Sequence, residues 1–164
     1  MARFVHIADA RTAAAIRRGG LKAAQSWHGP PGVFCVPVVP DHARTFQWAR
    51  ELRRSSAVGV AVFFVVDDDE PVLVGRYNGD LAETTAARAH AFFRSSEDPY
   101  GYEVIVPRSV TPGEIRSMRP APRLTGWRYQ PGSNGKGPYW PYPGTFNARN
   151  RRRRYEDWLE RDTD

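Results

Sequence analysis

Glu103 is the residue of this chain whose surroundings most need a chemical reason. It stands inside Tyr102-Glu-Val-Ile-Val106, an apolar, β-rich run. Alternation along a strand puts its carboxyl on the face opposite Val104. If that face is buried, an ionised carboxylate there needs a partner or a task. If the strand lies at an edge, the group simply faces water. His6 stands in a second such run, Arg3-Phe-Val-His-Ile-Ala8, where it is either a ligand or a plain strand histidine. Phe34, in Gly32-Val-Phe-Cys-Val36, is a core ring that can also stack on a planar ligand. Near the C-terminus, Arg149, Arg151, Arg152, Arg153 and Arg154 follow Tyr139, Trp140, Tyr142 and Phe146. Arginines track phosphates and aromatic rings stack on unpaired bases, so this composition suits a nucleic acid. The plainer alternative is a solvated helix whose arginines pair with Glu156, Asp157 and Glu160.

Other candidate groups point to less. The single cysteine, Cys35, excludes an internal disulfide and a cysteine-based zinc site, and it reads as a small buried apolar residue. Asp67 to Glu70 lie before Pro71 and read as a solvated turn rather than a metal cluster. His28, His42 and His90 have no zinc spacing with other ligands, so no metal is expected. No Gly-x-Gly-x-x-Gly occurs, which removes support for a Rossmann cofactor site.

The charge is uneven. Residues 1–107 are balanced, and the whole net charge of +6 falls in residues 108–164. Nearly all the basic residues are arginine, Lys22 and Lys136 excepted, which favours bidentate contacts to phosphate. A GC-rich genome gives the same bias. At 164 residues, 41% hydrophobic and 26% charged, the chain is neither disordered nor fibrous and is long enough for a core. Its longest uncharged apolar run, residues 57–66, is about half of the ~20 residues of a membrane span. With no signal-peptide pattern at the start, the expectation is a soluble, cytoplasmic protein without a membrane partner.

The elements that must position these residues follow from local pattern. Residues 3–8 read as a strand, with Asp9 or Thr12 capping a helix that Gly19-Gly20 stops. A loop over 23–31 leads to a strand at 32–36. Asp41 caps a helix over 42–54, and 58–66 reads as a strand covered on both faces. A turn at 67–71, a strand at 72–74 and a turn at 77–79 precede a helix from Thr84 or Thr85 to Phe93. After a turn at 98–101 comes the strand with Glu103, ended by Pro107. Residues 111–115 read as a helix or turn start, and 124–129 as a last strand. Residues 130–147 are a Pro/Gly-rich loop and 149–160 a terminal helix. Strands and helices without strict βαβ alternation make an α+β fold. The expected organisation is a domain over 1–129, with 130–164 as a loop and basic helix of the same globule.

Three of these pieces together resemble the ADP-ribosyltransferase superfamily. Phe4-Val5-His6 with Gly20-Leu21 is similar to that family's aromatic-x-His strand and the Gly-Leu that follows 14 and 15 residues on. Gly32-Val-Phe-Cys35 resembles its Gly-Ile/Val-Tyr-Phe strand, which leads into a helix lining the cofactor pocket. Here that helix carries Ala43 and Trp48. Glu103-Val-Ile-Val-Pro107, then Val110-x-Pro112-x-x-Ile115, most resembles the glutamate strand of DarT-type DNA ADP-ribosyltransferases. The motifs cover about a third of the chain. Phe34 replaces the usual tyrosine, and Ile7-Ala8 follow His6 in place of the usual small residue. Trp127-Arg-Tyr and Tyr139-Trp-Pro-Tyr142 resemble motifs of a poorly characterised bacterial group.

The resemblance implies a split, mixed or antiparallel sheet of six to seven strands with peripheral helices. It also implies NAD as substrate, held by His6, Gly20, Leu21, Phe34 and Trp48. Breaking the nicotinamide–ribose bond passes through an oxocarbenium-like transition state, which a carboxylate stabilises. Glu103 takes that role through the ribose 2′-hydroxyl, and His6 holds a ribose hydroxyl on the adenosine side. The first functional expectation is therefore an NAD-dependent ADP-ribosyltransferase, with a nucleic acid bound by Arg149, Arg151–Arg154 and Trp140 as acceptor. Two alternatives stand beside it. One is a non-catalytic nucleic-acid-binding protein on the same fold, which Phe34 in place of tyrosine favours. The other is a relative of the NAD-dependent RNA 2′-phosphotransferases, which share the early motifs but lack a glutamate at this place.

Overall fold

The computed structural model describes residues 1–25, 29–52, 58–77 and 79–122. The chain divides into two compact units, Met1–Arg128 and Tyr129–Asp164, and the description that follows concerns the first. The strand expected at 124–129, the loop at 130–147 and the arginine-rich helix at 149–160 lie outside the described residues.

Seven strands form one sheet. They are β1 (Ala2–Asp9), β2 (Val33–Pro37), β3 (Val58–Val66), β4 (Pro71–Arg76), β5 (Leu81–Thr85), β6 (Tyr102–Val106) and β7 (Ile115–Pro120). Their order is β5-β4-β6-β2-β1-β3-β7. Every neighbouring pair is antiparallel. Among the described residues four α-helices accompany the sheet: α1 (Ala13–Gly19), α2 (His42–Thr45), α3 (Ala49–Leu52) and α4 (Ala86–Ser95). The α+β expectation and the antiparallel pairing both appear in this architecture. No described helix is long and apolar enough to cross a membrane.

The buried side chains come from the apolar runs. Phe4, Val62, Phe64, Val104 and Val106 are fully buried in the central strands. In β3 consecutive residues from Val60 to Phe64 are all buried, as a strand covered on both faces requires. Helix α4 is capped by the Thr85 hydroxyl, which accepts from the Arg88 amide at 3.4 Å. It turns Ala86, Ala89 and Phe93 toward the core and sets Phe92 against Tyr102.

Two local expectations need correction. The helix over 42–54 is interrupted, with α2 ending at Thr45 and α3 beginning at Ala49. The interruption turns Gln47 inward, where it is fully buried. Its side-chain amide donates to the Pro99 carbonyl, and its oxygen accepts from the Gly101 amide at 2.7 Å. Two buried hydrogen bonds to a turn outweigh continuing one short helix. β5 and β7 had no counterpart in the sequence reading. Both are edge strands with polar or exposed residues, Leu-Ala-Glu-Thr-Thr and Ile-Arg-Ser-Met-Arg-Pro, so they lack an apolar strand signature. At the start of the first helix both expected cap positions are used: Asp9 caps a 3₁₀ turn over Ala10–Thr12, and Thr12 stands at the N-cap of α1.

Candidate functional site

The pairing registers decide which side chains share a face. Phe34 pairs with Ile105, and Glu103 is two residues from Ile105 on the same strand, so Phe34 and Glu103 share one face. Glu103 pairs in turn with Gly75 of β4. On the other side, β2 meets β1 at Phe4↔Pro37 and Val5↔Val36, and the ladder goes no further. Val5 and Val36 belong to the face of Phe34 and Glu103.

His6 stands where that ladder stops. Alternation from Val5 starts its side chain on the opposite face. Its Nδ1 lies 2.7 Å from the Phe34 carbonyl oxygen. A carbonyl only accepts, so the ring donates through Nδ1–H. The imidazole therefore satisfies a β2 carbonyl that a β1 amide would serve in a continuing ladder. Burial pushes the His6 pKa below its ordinary value, against the opposing effect of the Phe34 carbonyl. The neutral ring so favoured leaves Nε2 as an acceptor. No hydrogen bond or ion pair joins His6 to Glu103.

Glu103 is 8% exposed in an otherwise apolar strand. Burial raises its carboxyl from the ordinary 4.5 to about 7. Its strand is held in place by Trp48, whose indole N–H donates to the Tyr102 carbonyl at 2.9 Å. Trp48 also meets Tyr77 edge-on. Tyr102 itself faces away from Glu103 and packs on Phe92. The thiol of Cys35 donates to the Val104 carbonyl at 3.4 Å. Burial first and the Glu103 charge second push the thiol pKa well above normal, so no reactive thiolate forms there.

Gly20 and Leu21 act through the backbone. Leu21 and Val110 exchange amide–carbonyl bonds at 2.9 Å in both directions, which ties the end of α1 to the segment after β6. Gly20 has φ +74°, and an added Cβ would collide with the Val110 carbonyl oxygen, so glycine is required on both counts. The structure thus sets Phe34 and Glu103 on one face, with Trp48 bracing β6, and His6 at the gap where the β1–β2 ladder ends, its side chain starting from the other face; Gly20 and Leu21 close α1. Arg149, Arg151, Arg152, Arg153, Arg154 and Trp140 lie outside the described residues.

One ionic cluster had no signal in the sequence. Arg108, just after β6, donates to both carboxyl oxygens of Glu70 at 2.7 and 3.1 Å and to both of Glu114 at 3.2 and 2.8 Å. Glu114 also accepts from the amide and hydroxyl of Thr111. Burial alone would raise the Glu114 pKa, but Arg108 and Thr111 hold it below normal. The partners of Arg108 come from two separate turns, and neither spacing is a motif. Among the described residues, no group of three or more His, Cys, Asp or Glu side chains is arranged to hold a metal ion.

Compared with known proteins, the chain matches no protein-family model, no curated protein and no solved structure.

Proposed function

We propose that this chain is an NAD-dependent ADP-ribosyltransferase whose acceptor is a nucleic acid. The observation that carries the reading is a buried glutamate, Glu103, sharing a sheet face with Phe34 beside a strand pair whose ladder ends at His6. In the proposed reaction the C1′–N bond between ribose and nicotinamide breaks. Its electron pair leaves with nicotinamide, which departs neutral and needs no proton. Positive charge then develops on the ribose. Ionised Glu103 accepts from the ribose 2′-hydroxyl and stabilises that charge inside a poorly solvated site. Phe34 offers a ring for nicotinamide to stack on, and Nε2 of His6 accepts from a ribose hydroxyl of the adenosine half. The acceptor attacks C1′, and its proton passes to solvent.

The test is nicotinamide release from NAD followed by NMR, with the protein alone, with single-stranded DNA and with RNA. Release that falls about 100-fold or more in Glu103→Gln, with the fold intact, is the expected result. Equal release by the variant would remove Glu103 from the reaction. A second reading, a binding protein without chemistry, draws support from Phe34, which lacks the hydroxyl of the tyrosine usual in the family. A folded protein that releases no nicotinamide under any of the three conditions would favour it.

A further inference from the structure

The break between α2 and α3 puts two consecutive side chains against the start of the Glu103 strand. Gln47 is fully buried, and its amide reaches both ends of the turn before β6. It donates to the Pro99 carbonyl at 3.1 Å and accepts from the Gly101 amide at 2.7 Å. Gly101 is held from another side as well, since its carbonyl accepts from the Tyr77 amide at 2.8 Å. Trp48 takes the next carbonyl, that of Tyr102. The ladder offers that carbonyl no donor from β2. β2 and β6 pair at Val33↔Val106, Phe34↔Ile105 and Cys35↔Val104, and the same register carried two residues further sets Pro37 opposite Tyr102. Proline has no amide hydrogen to give. The indole N–H of Trp48 stands in for it, at 2.9 Å.

The Tyr102 carbonyl shares a peptide plane with the nitrogen and Cα of Glu103. Holding it therefore fixes the direction in which the Glu103 side chain leaves the strand. We propose that Gln47 and Trp48 are positioning residues, which together set the Glu103 carboxyl on its sheet face and keep water from the start of β6. The inference rests on the proposed function for what the carboxyl does, but where the carboxyl stands is measured without NAD. Gln47 suits the task because one planar group carries both a donor and an acceptor. A leucine there leaves the Pro99 carbonyl and the Gly101 amide buried and unpaired. The turn must then move toward water, and Glu103 lies two residues beyond it. Thr45, on the same short helix as the start of the break, offers a contrast. Its hydroxyl bonds the Val39 amide and the Val39 carbonyl, both at 3.0 Å, and so ties α2 to the end of β2.

The experiment follows the Glu103 carboxyl by carbon NMR over a pH series in the full-length protein without NAD, with Glu103→Gln to identify its resonance. The variants are Gln47→Leu and Trp48→Phe, and the control is Thr45→Val, which loses buried hydrogen bonds of α2 elsewhere. The ionisable groups on the elements packed here are His42, Arg44, Arg50 and Glu51 on α2 and α3, Cys35 on β2 and Arg76 on β4, and every variant keeps them all. A moved titration therefore reports water at Glu103 rather than a changed charge. The wild-type carboxyl should titrate at about 7. In Gln47→Leu and Trp48→Phe the midpoint should fall toward the ordinary value by about a unit. Thr45→Val should lose stability in urea and keep the wild-type midpoint. An unchanged midpoint in Trp48→Phe, an equal fall in Thr45→Val, or a wild-type midpoint already at the ordinary value would each overturn the inference. If Gln47→Leu does not fold, Trp48→Phe, which keeps an aromatic ring and loses the N–H, decides alone. With NAD, the two variants should lower kcat for nicotinamide release about 10-fold or more and leave KM within about twofold. A raised KM with kcat unchanged would overturn the inference and assign Trp48 to holding NAD. Wild-type protein that releases no nicotinamide would overturn the proposed function instead, and the titration would still decide the positioning.

Discussion

Strand β1 has two neighbours, and its two seams are built differently. Against β3 it pairs along its whole length, from Ala2 to Asp9, with a single register shift at its far end. Against β2 it pairs only at Phe4 and Val5. The full seam sets Phe4, Val5 and His6 opposite Phe64, Phe63 and Val62. The short seam ends at a histidine side chain and leads to the strand with a buried carboxylate. One strand thus joins a fully paired seam to a short one that ends at the His6 imidazole. A complete ladder on both sides would have been more stable and would have left no place for His6.

If that contrast is right, damage at the full seam should cost the most stability. Phe64 is fully buried and stacks on Phe4 with ring centroids 5.9 Å apart. Phe64→Ala should lower the unfolding free energy by about 3–5 kcal/mol in urea titrations. A loss near 1 kcal/mol would mean that this seam is not the core of the molecule.

A smaller effect should appear at Glu103, and it should depend on pH. Its folded pKa of about 7 lies above the ordinary 4.5, so the protonated form is favoured on folding. The associated stability is fully present below pH 4.5 and is lost as pH rises through 7. Relative to Glu103→Gln, wild-type protein should lose up to about 3 kcal/mol over that window. A stabiliser of positive charge must be ionised, so nicotinamide release should rise over the same range. A flat difference between the two proteins from pH 4 to 8 would place the carboxylate in water.

His6 works in the opposite direction and more weakly. Its pKa is lowered by burial, so stability tied to its neutral form is lost as pH falls below 6.5. His6→Ala removes the donor to the Phe34 carbonyl and should cost about 1–3 kcal/mol at neutral pH, read by urea unfolding. The same variant should lose the low-pH sensitivity. No cost at all would mean that a backbone amide takes over the carbonyl and the ladder closes by itself.

Apolar runs made much of this fold legible. The runs at 3–8, 58–66 and 102–106 lie in β1, β3 and β6, and the run at 32–36 overlaps β2, because β-branched and aromatic residues there have a core to enter. Glu103 was legible because a carboxylate breaks such a run. The rest was written in places that local pattern does not reach. β5 and β7 are edges, where solvent on one side permits polar residues. The break between α2 and α3 depends on what Gln47 meets in the turn before β6. Arg108 gains its two partners only when distant turns come together. The length of the β1–β2 ladder, on which the site depends, is a matter of register between strands and leaves no mark on either one.

The buried thiol of Cys35 sits on β2, the strand shared by the short seam and the glutamate strand, and it is the chain's one cysteine. Closed as it is, an alkylating reagent must wait for the strands to part before reaching the sulfur. Its labelling rate therefore acts as a clock for breathing of the sheet at this spot. The native sequence carries its own reporter, with no probe to be engineered. Any molecule that clamps β2 between its neighbours would slow that clock, whether or not it is ever turned over.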